Sequence, residues 1–253
     1  MRTSFIPSLA VLAVVTSELV SAERTFTVKN NCAFPIWPAI FTSAGTAPAH
    51  PTGWEAAAGS SVSFEVAENW NGRLWGRTDC YFDGSGLPNT CSTGSCNGGL
   101  ECATVGGTGV PPATLGEWNL NDSHDWYDVS LVDGFNLPMA ITNNVGCNEP
   151  SCPTNINKDC PAALSVDNSD GEIVGCLTSC AANLDGNQAD SGNCCSGSHD
   201  TPATCPKDKV EYYDTFKTAC PDAYAYAYDE SSGSALWTCD HSKGADYTVI
   251  FCP

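Results

Sequence analysis

The chain has 253 residues, with 10 Lys and Arg against 29 Asp and Glu, giving a formal net charge of −19. So few cations leave no basic patch for phosphate groups, which argues against nucleic acid and anionic membranes as partners and leaves neutral polymers such as glycans, or cationic partners, open. Sixteen cysteines, an even number, indicate disulfides formed in an oxidising compartment; four scattered histidines add no ligand cluster to Cys91-x4-Cys96 or Cys176-x3-Cys180, so no metal and no cofactor is expected.

In chain order, Arg2, an apolar run from Phe5 to Val15 and the small residues Val20-Ser21-Ala22 read as a secretory leader over residues 1–22. The run is too short for a spanning helix, and no later stretch is long enough either. Phe26 and Val28 alternate with Thr25, Thr27 and Lys29, and Val62, Phe64 and Val66 with Ser61, Ser63 and Glu65, the period of half-buried strands. Further β-rich runs fall at 73–77, 128–132 and 247–251, with Gly, Pro and Asn between them. Together they predict a mainly β protein, an antiparallel sandwich or barrel.

Residues 143–205 differ, being dense in Cys, Asn, Asp, Gly and Ser. A segment with so little to bury depends on covalent staples. Composition leaves the pairing open, except that the neighbours Cys194 and Cys195 need separate partners. Cys176 and Cys180 are spaced to lie one turn apart on a helix, and Pro206 can open a second helix over Lys207–Ala219 that Pro221 ends.

Four stretches carry a resemblance: Trp75-Gly76-Arg77-Thr78-Asp79-Cys80, Pro111-Pro112-Ala113-Thr114-Leu115-Gly116-Glu117, Asp128-Val129-Ser130-Leu131-Val132-Asp133-Gly134-Phe135-Asn136 and Cys220-Pro221-Asp222-Ala223-Tyr224. From Thr25 to Pro253 the chain resembles the thaumatin-like proteins, the pathogenesis-related group 5 type, and all sixteen cysteines fall in that family's order. The resemblance implies the pairs Cys32–Cys252, Cys80–Cys91, Cys96–Cys102, Cys147–Cys239, Cys152–Cys220, Cys160–Cys176, Cys180–Cys194 and Cys195–Cys205. It implies one thaumatin-like domain over 23–253: a sandwich core at about 23–78, 111–153 and 221–253, a small loop lobe at about 79–110 and a Cys-rich lobe at about 154–220, with a cleft between sandwich and large lobe. Two departures fall near Cys91, an extra residue within Gly86–Thr90 and Ser95 where Asp is usual. The stretch from Glu117 to Asp128 is also shorter than in plant relatives.

By the same resemblance the cleft holds Arg73, Glu117, Asp128, Asp133 and Asp229. Convergent carboxyl groups repel one another, so at least one keeps its proton to higher pH, the condition for acid–base work on a glycosidic bond. Glu117 is assigned as proton donor and Asp133 as base or nucleophile; Asp128 and Asp229 tune their charge and bind sugar hydroxyls, and Arg73 orients a carboxylate. Arg73, Trp75 and Arg77 share a strand face, which makes Arg77 the alternative cleft arginine. Asp128 and Asp133, five apart, need a bulge or a strand end near Gly134 to reach one cleft. Trp118, Trp126, Tyr127 and Tyr228 neighbour these acids as candidate sugar platforms, each weighed against an ordinary core role. The histidines have no spaced partners, and Asn121-Asp122-Ser123 is a glycosylation sequon, a surface loop if used.

The function implied is that of a secreted, extracellular or cell-wall protein directed at β-1,3-glucan, monomeric, not inserted in membranes and not bound to nucleic acid. An endo-β-1,3-glucanase, a glycoside hydrolase, is the first reading; a non-catalytic glucan-binding, antifungal or defence-type wall protein is the alternative.

Overall fold

The computed structural model describes residues 23–82 and 91–253; the expected leader over 1–22 and the extra residue within Gly86–Thr90 lie outside the described residues. Among the described residues twelve strands occur in chain order: β1 (Glu23–Asn30), β2 (Trp37–Ala44), β3 (Ser61–Ala67), β4 (Asn71–Arg77), β5 (Leu115–Leu120), β6 (His124–Ser130), β7 (Met139–Asn143), β8 (Ser151–Cys152), β9 (Ser165–Asp167), β10 (Ile173–Cys176), β11 (Trp237–Asp240) and β12 (Tyr247–Phe251). They form two five-stranded sheets, ordered β3-β1-β12-β7-β8 and β11-β6-β5-β4-β2, and a separate β9–β10 ribbon. Pairing is antiparallel except between β1 and β12, which run parallel. The chain is mainly β, as expected.

The alternation read in β1 is the burial observed: Phe26 and Val28 are buried while Thr25, Thr27 and Lys29 are not. Between the sheets an aromatic cluster forms, with Trp118 5.0 Å and Trp70 5.5 Å from Phe26, and Tyr127 5.1 Å from Tyr247, ring centre to ring centre. Several of these pairs meet edge-on or tilted, the arrangement favoured by the ring quadrupoles. Gly116 sits in the interior of β5 because a Cβ there would come within 2.9 Å of the Trp118 ring. In β6 the alternation fails after Trp126: Tyr127, Asp128, Val129 and Ser130 are all buried. One face meets the opposite sheet, and at the end of the strand the other is crossed by the chain at Tyr224, whose main chain bonds to Val129 and Leu131.

A smaller core of Trp75, Ala39, Leu115, Cys96 and Cys102 lies under the loop over residues 91–110. Arg77 is fully buried beneath it and donates to the carbonyls of Trp37 (2.9 Å), Gly99 (2.8 Å) and Leu100 (2.7 Å). Burial lowers its guanidinium pKa to about 10. Arg77 therefore anchors this loop and is not the cleft arginine. Ser95, the departure from the usual Asp, accepts from the Cys91 N–H at 2.9 Å and so performs an acceptor role open to a carboxylate.

The eight disulfides are the pairs implied by the resemblance, from Cys32–Cys252 to Cys195–Cys205. Six of the sixteen half-cystines fall between 160 and 205, where regular structure is short. Both helix expectations here are corrected. Cys176 ends β10 and Cys180 lies in a turn, because the Cys176 N–H and C=O pair with Phe135 at 2.8 Å each and hold the chain extended. Over 207–219 the chain makes a 3-10 turn at Lys207–Lys209, breaks at Tyr212 (φ 60°), and only then forms the helix α1 (Tyr213–Ala219). The break follows from Asn193, which binds Glu211 twice, accepting its backbone N–H at 2.9 Å and donating to its carboxylate at 3.0 Å. No helix among the described residues is long and apolar enough to cross a membrane.

Candidate active site

The pairing register brings Arg73 of β4, Glu117 of β5 and Asp128 of β6 into one row across the second sheet. Directly paired residues point to the same face, so the row faces away from the aromatic core. A cavity of ≈ 580 Å³ opens over it. Arg73 Nη2 lies 3.2 Å from Glu117 Oε1, and Nη1 lies 3.6 Å from Asp133 Oδ2. One guanidinium thus holds two carboxylates, one at each of its two terminal nitrogens.

Asp133 gets there because β6 stops at Ser130, two residues earlier than the sequence pattern suggested. The turn closes with the Gly134 N–H on the Leu131 carbonyl at 2.9 Å. Gly134 has φ +88°, and a Cβ there would meet the Cys176 carbonyl at 2.6 Å, so no other residue fits. The parity problem is solved by a strand end rather than a bulge.

All three row-associated acids are pushed above the ordinary carboxylate range. For Glu117 burial is the main cause; Asp133 adds to it, while Arg73 and the Ser130 hydroxyl oppose it. For Asp133 burial outweighs Arg73. Asp128 is raised furthest, by burial first, then by Glu117 directly opposite it, with Glu230 adding and Arg73 opposing. Among the described residues its Oδ1 is buried without a hydrogen-bond partner, and Asp128 makes no ion pair like those of its neighbours with Arg73. Asp128 is accordingly the group that retains a proton longest.

Asp229 is not in the cavity wall. It is fully buried in the other direction, accepting from the Tyr213 hydroxyl (2.7 Å) and the Ala225 N–H (3.0 Å) and pairing with Lys217 (3.0 Å). The acid that lines the cavity is the next residue, Glu230, together with Tyr224. Tyr224 is placed by main-chain bonds to the end of β6, its N–H to the Val129 carbonyl and its C=O from the Leu131 N–H, 2.9 Å each. Its phenol is pushed up by burial, then by Asp128 and Glu230. The signal for Tyr224 lay in the quoted Cys220–Tyr224 stretch; Glu230 is told from its acidic neighbour Asp229 only by the direction of a 3-10 turn.

Of the four candidate platforms, Trp126 and Trp118 both border the cavity, but Trp126 is 38% exposed whereas Trp118 is buried. Trp118 and Tyr127 each sit one residue from a cleft-facing position and so belong to the core face. Tyr127 donates to the Asn148 carbonyl at 2.6 Å. Tyr228 does not line the cavity; its hydroxyl binds the Asp200 carbonyl at 2.5 Å.

The sequence model of the Thaumatin family matches residues 30–253. The chain belongs to the thaumatin family. Among relatives in that family, it is 41% identical over 236 residues to pathogenesis-related thaumatin-like protein 3.5 of Cryptomeria japonica, covering 92% of this chain and 91% of that one. It is 41% identical over 234 residues to a protein of Prunus avium named glucan endo-1,3-beta-glucosidase, covering 90% of each. A solved laminaripentaose-producing β-1,3-glucanase from Paenibacillus barengoltzii shares the fold alone, at 12% identity and a TM-score of 0.54, over 92% of this thaumatin-family chain and 75% of the other.

Proposed function

We propose that this protein acts on β-1,3-glucan as an endo-acting glycoside hydrolase. The observation that carries the reading is the arrangement of Glu117 and Asp133 at opposite ends of the Arg73 guanidinium, in an open cavity that also holds Asp128 and Glu230. Four carboxyl groups facing one cation cannot all ionise cheaply, so the site keeps a proton in mildly acidic solution. Glu117 donates a proton to the departing sugar oxygen, and Asp133, oriented by Arg73, attacks the anomeric carbon or activates a water. Asp128, directly opposite Glu117 and raised furthest by burial, eases the repulsion that Glu117 meets when it ionises after donation. The name of the Prunus avium relative supports the substrate class.

A leader over residues 1–22 and sixteen paired cysteines support secretion to the extracellular space or the cell wall, with the lobes divided as in the thaumatin-like arrangement. Defence against a foreign wall fits the naming of the relatives. One observation favours a second reading, binding without turnover: Arg73 engages both carboxylates and favours their ionised, static forms.

Reducing-sugar release from a linear β-1,3-glucan at mildly acidic pH, compared with Glu117→Gln and Asp133→Asn, separates the two. A hydrolase releases sugar and loses that release in both variants; a folded wild type that binds glucan and releases nothing is a binding protein.

A further inference from the structure

Asn121-Asp122-Ser123 is the only Asn-x-Ser/Thr sequence in the chain, and the function proposed above makes no use of it. It forms the turn between β5 and β6. Leu120 pairs with Asp125, and the Asn121 N–H donates to the His124 carbonyl at 3.3 Å, so Asn121 and His124 close the hairpin opposite each other. Asp122, Ser123 and His124 are exposed and Asn121 is half-buried.

The side-chain amide of Asn121 is engaged at one end only. Its Oδ1 accepts from the Ser123 hydroxyl (2.8 Å), the Ser123 N–H (3.1 Å) and the His124 N–H (3.2 Å). Two backbone N–H donors identify that atom as the oxygen. Among the described residues Nδ2 has no hydrogen-bond partner, and it is not a buried atom left unpaired. A substituent on Nδ2 therefore breaks none of the bonds that hold the turn.

The register also says where such a substituent stands. Glu117 pairs with Asp128 and Asn119 with Trp126, so Asn121 and His124 continue the same file of residues on the cavity side of the sheet. Asn119 and Trp126 line the large cavity on the side of the turn. Asn121 is the next position outward, roughly 14 Å along the strand from Glu117 and, on the diagonal, roughly 7–8 Å from Trp126. The Trp126 ring, with the His124 ring 6.0 Å away, presents an exposed aromatic surface there, of the kind on which the C–H faces of sugars pack.

We propose that Asn121 carries an N-linked glycan whose first sugars stand over Trp126, at the end of the cavity nearest the β5–β6 turn. This sugar belongs to the protein itself. Its transfer forms a bond from Asn121 Nδ2 to C1 of the first sugar, with loss of one proton from Nδ2. The bond broken is that between C1 and the diphosphate oxygen of a lipid-linked oligosaccharide donor, and the diphosphate leaves with the electron pair. The inference rests on the secretion reading above, which brings the chain to that donor.

The test is expression of the full chain in a eukaryotic secretory host, with intact-mass analysis of the protein in the medium before and after peptide-N-glycosidase. A form heavier than the bare chain is expected, and the enzyme returns it to the bare mass with Asn121 converted to Asp. Asn121→Asp, which keeps the acceptor oxygen, and Ser123→Ala, which keeps both N–H donors, are secreted without the added mass; Ser123→Thr retains it. Removing the glycan then raises acrylamide quenching of tryptophan fluorescence in the native sequence and leaves it unchanged in Trp126→Phe. Secreted protein with Asn121 unmodified overturns the site while the secretion reading stands. A chain held inside the cell with residues 1–22 uncut overturns both. A glycan on Asn121 whose removal leaves the quenching of the native sequence unchanged overturns its placement over Trp126.

Discussion

On one face of β5, Trp118 is wedged among Phe26, Trp70 and Tyr247; one residue earlier, on the other face, Glu117 meets Arg73 beneath an open cavity. The same contrast repeats on β6, where Tyr127 faces the core and Asp128 the cavity. Two adjacent strands thus carry two opposed environments a few ångströms apart. The aromatic face fixes the spacing of the strands, and that spacing sets the row of charged groups on the other side. Rigidity is bought on one face and spent on the other, so substitutions on the two faces should separate stability from activity.

The largest effect is expected at Glu117. Glu117→Gln should lower kcat on β-1,3-glucan by about 10²–10⁴, while the thermal midpoint moves by no more than the roughly 2–4 °C that each kcal/mol represents in a chain of this size. Trp118→Ala should do the reverse, costing about 3–5 kcal/mol of stability, read by denaturant unfolding with the disulfides intact. Equal losses of stability from both substitutions would remove the distinction between the faces.

The pH dependence of stability sharpens the contrast. Glu117, Asp128 and Asp133 are raised in the folded state, so the fold binds protons that the unfolded chain releases. Their contribution is complete below the ordinary carboxylate range, roughly pH 4, and is lost as pH rises through the raised values. Stability should therefore decline from mildly acidic pH toward neutrality, and Asp128→Asn should flatten that decline more than Asp133→Asn. A thermal midpoint in Asp128→Asn with the same pH slope as wild type would contradict the assignment of the retained proton.

Smaller effects follow at Trp126 and Tyr127, neighbours on opposite faces. Trp126→Ala should weaken oligomer binding by about two- to twelvefold, the roughly 0.5–1.5 kcal/mol of an aromatic contact, with no loss of stability. Tyr127→Phe removes the hydroxyl that binds the Asn148 carbonyl and should cost about 1 kcal/mol of stability with binding unchanged.

Much of this was legible in the sequence. Alternation gave the faces of β1 and β3, and parity alone puts Trp118 and Tyr127 on the core side once Glu117 and Asp128 face the cleft. What parity cannot supply is which strands are neighbours, so the row Arg73–Glu117–Asp128 rested on family resemblance until the register was visible. Asp229 was misplaced because two adjacent acids in a 3-10 turn point in different directions, and nothing local says which one Lys217 will capture. The helix over 207–219 was overestimated because the interruption comes from Asn193, remote in sequence from the residues whose propensity suggested it.

The parallel pairing of β1 with β12, fastened by Cys32–Cys252, ties together segments 220 residues apart. During synthesis β1 cannot find its partner until β12 has emerged, and the first sheet must wait half-made at its centre. Loss of β12 would not trim an edge but remove a middle strand, leaving β1 and β7 with open backbone edges prone to pairing with other chains. A truncation there should yield aggregate rather than a shortened protein.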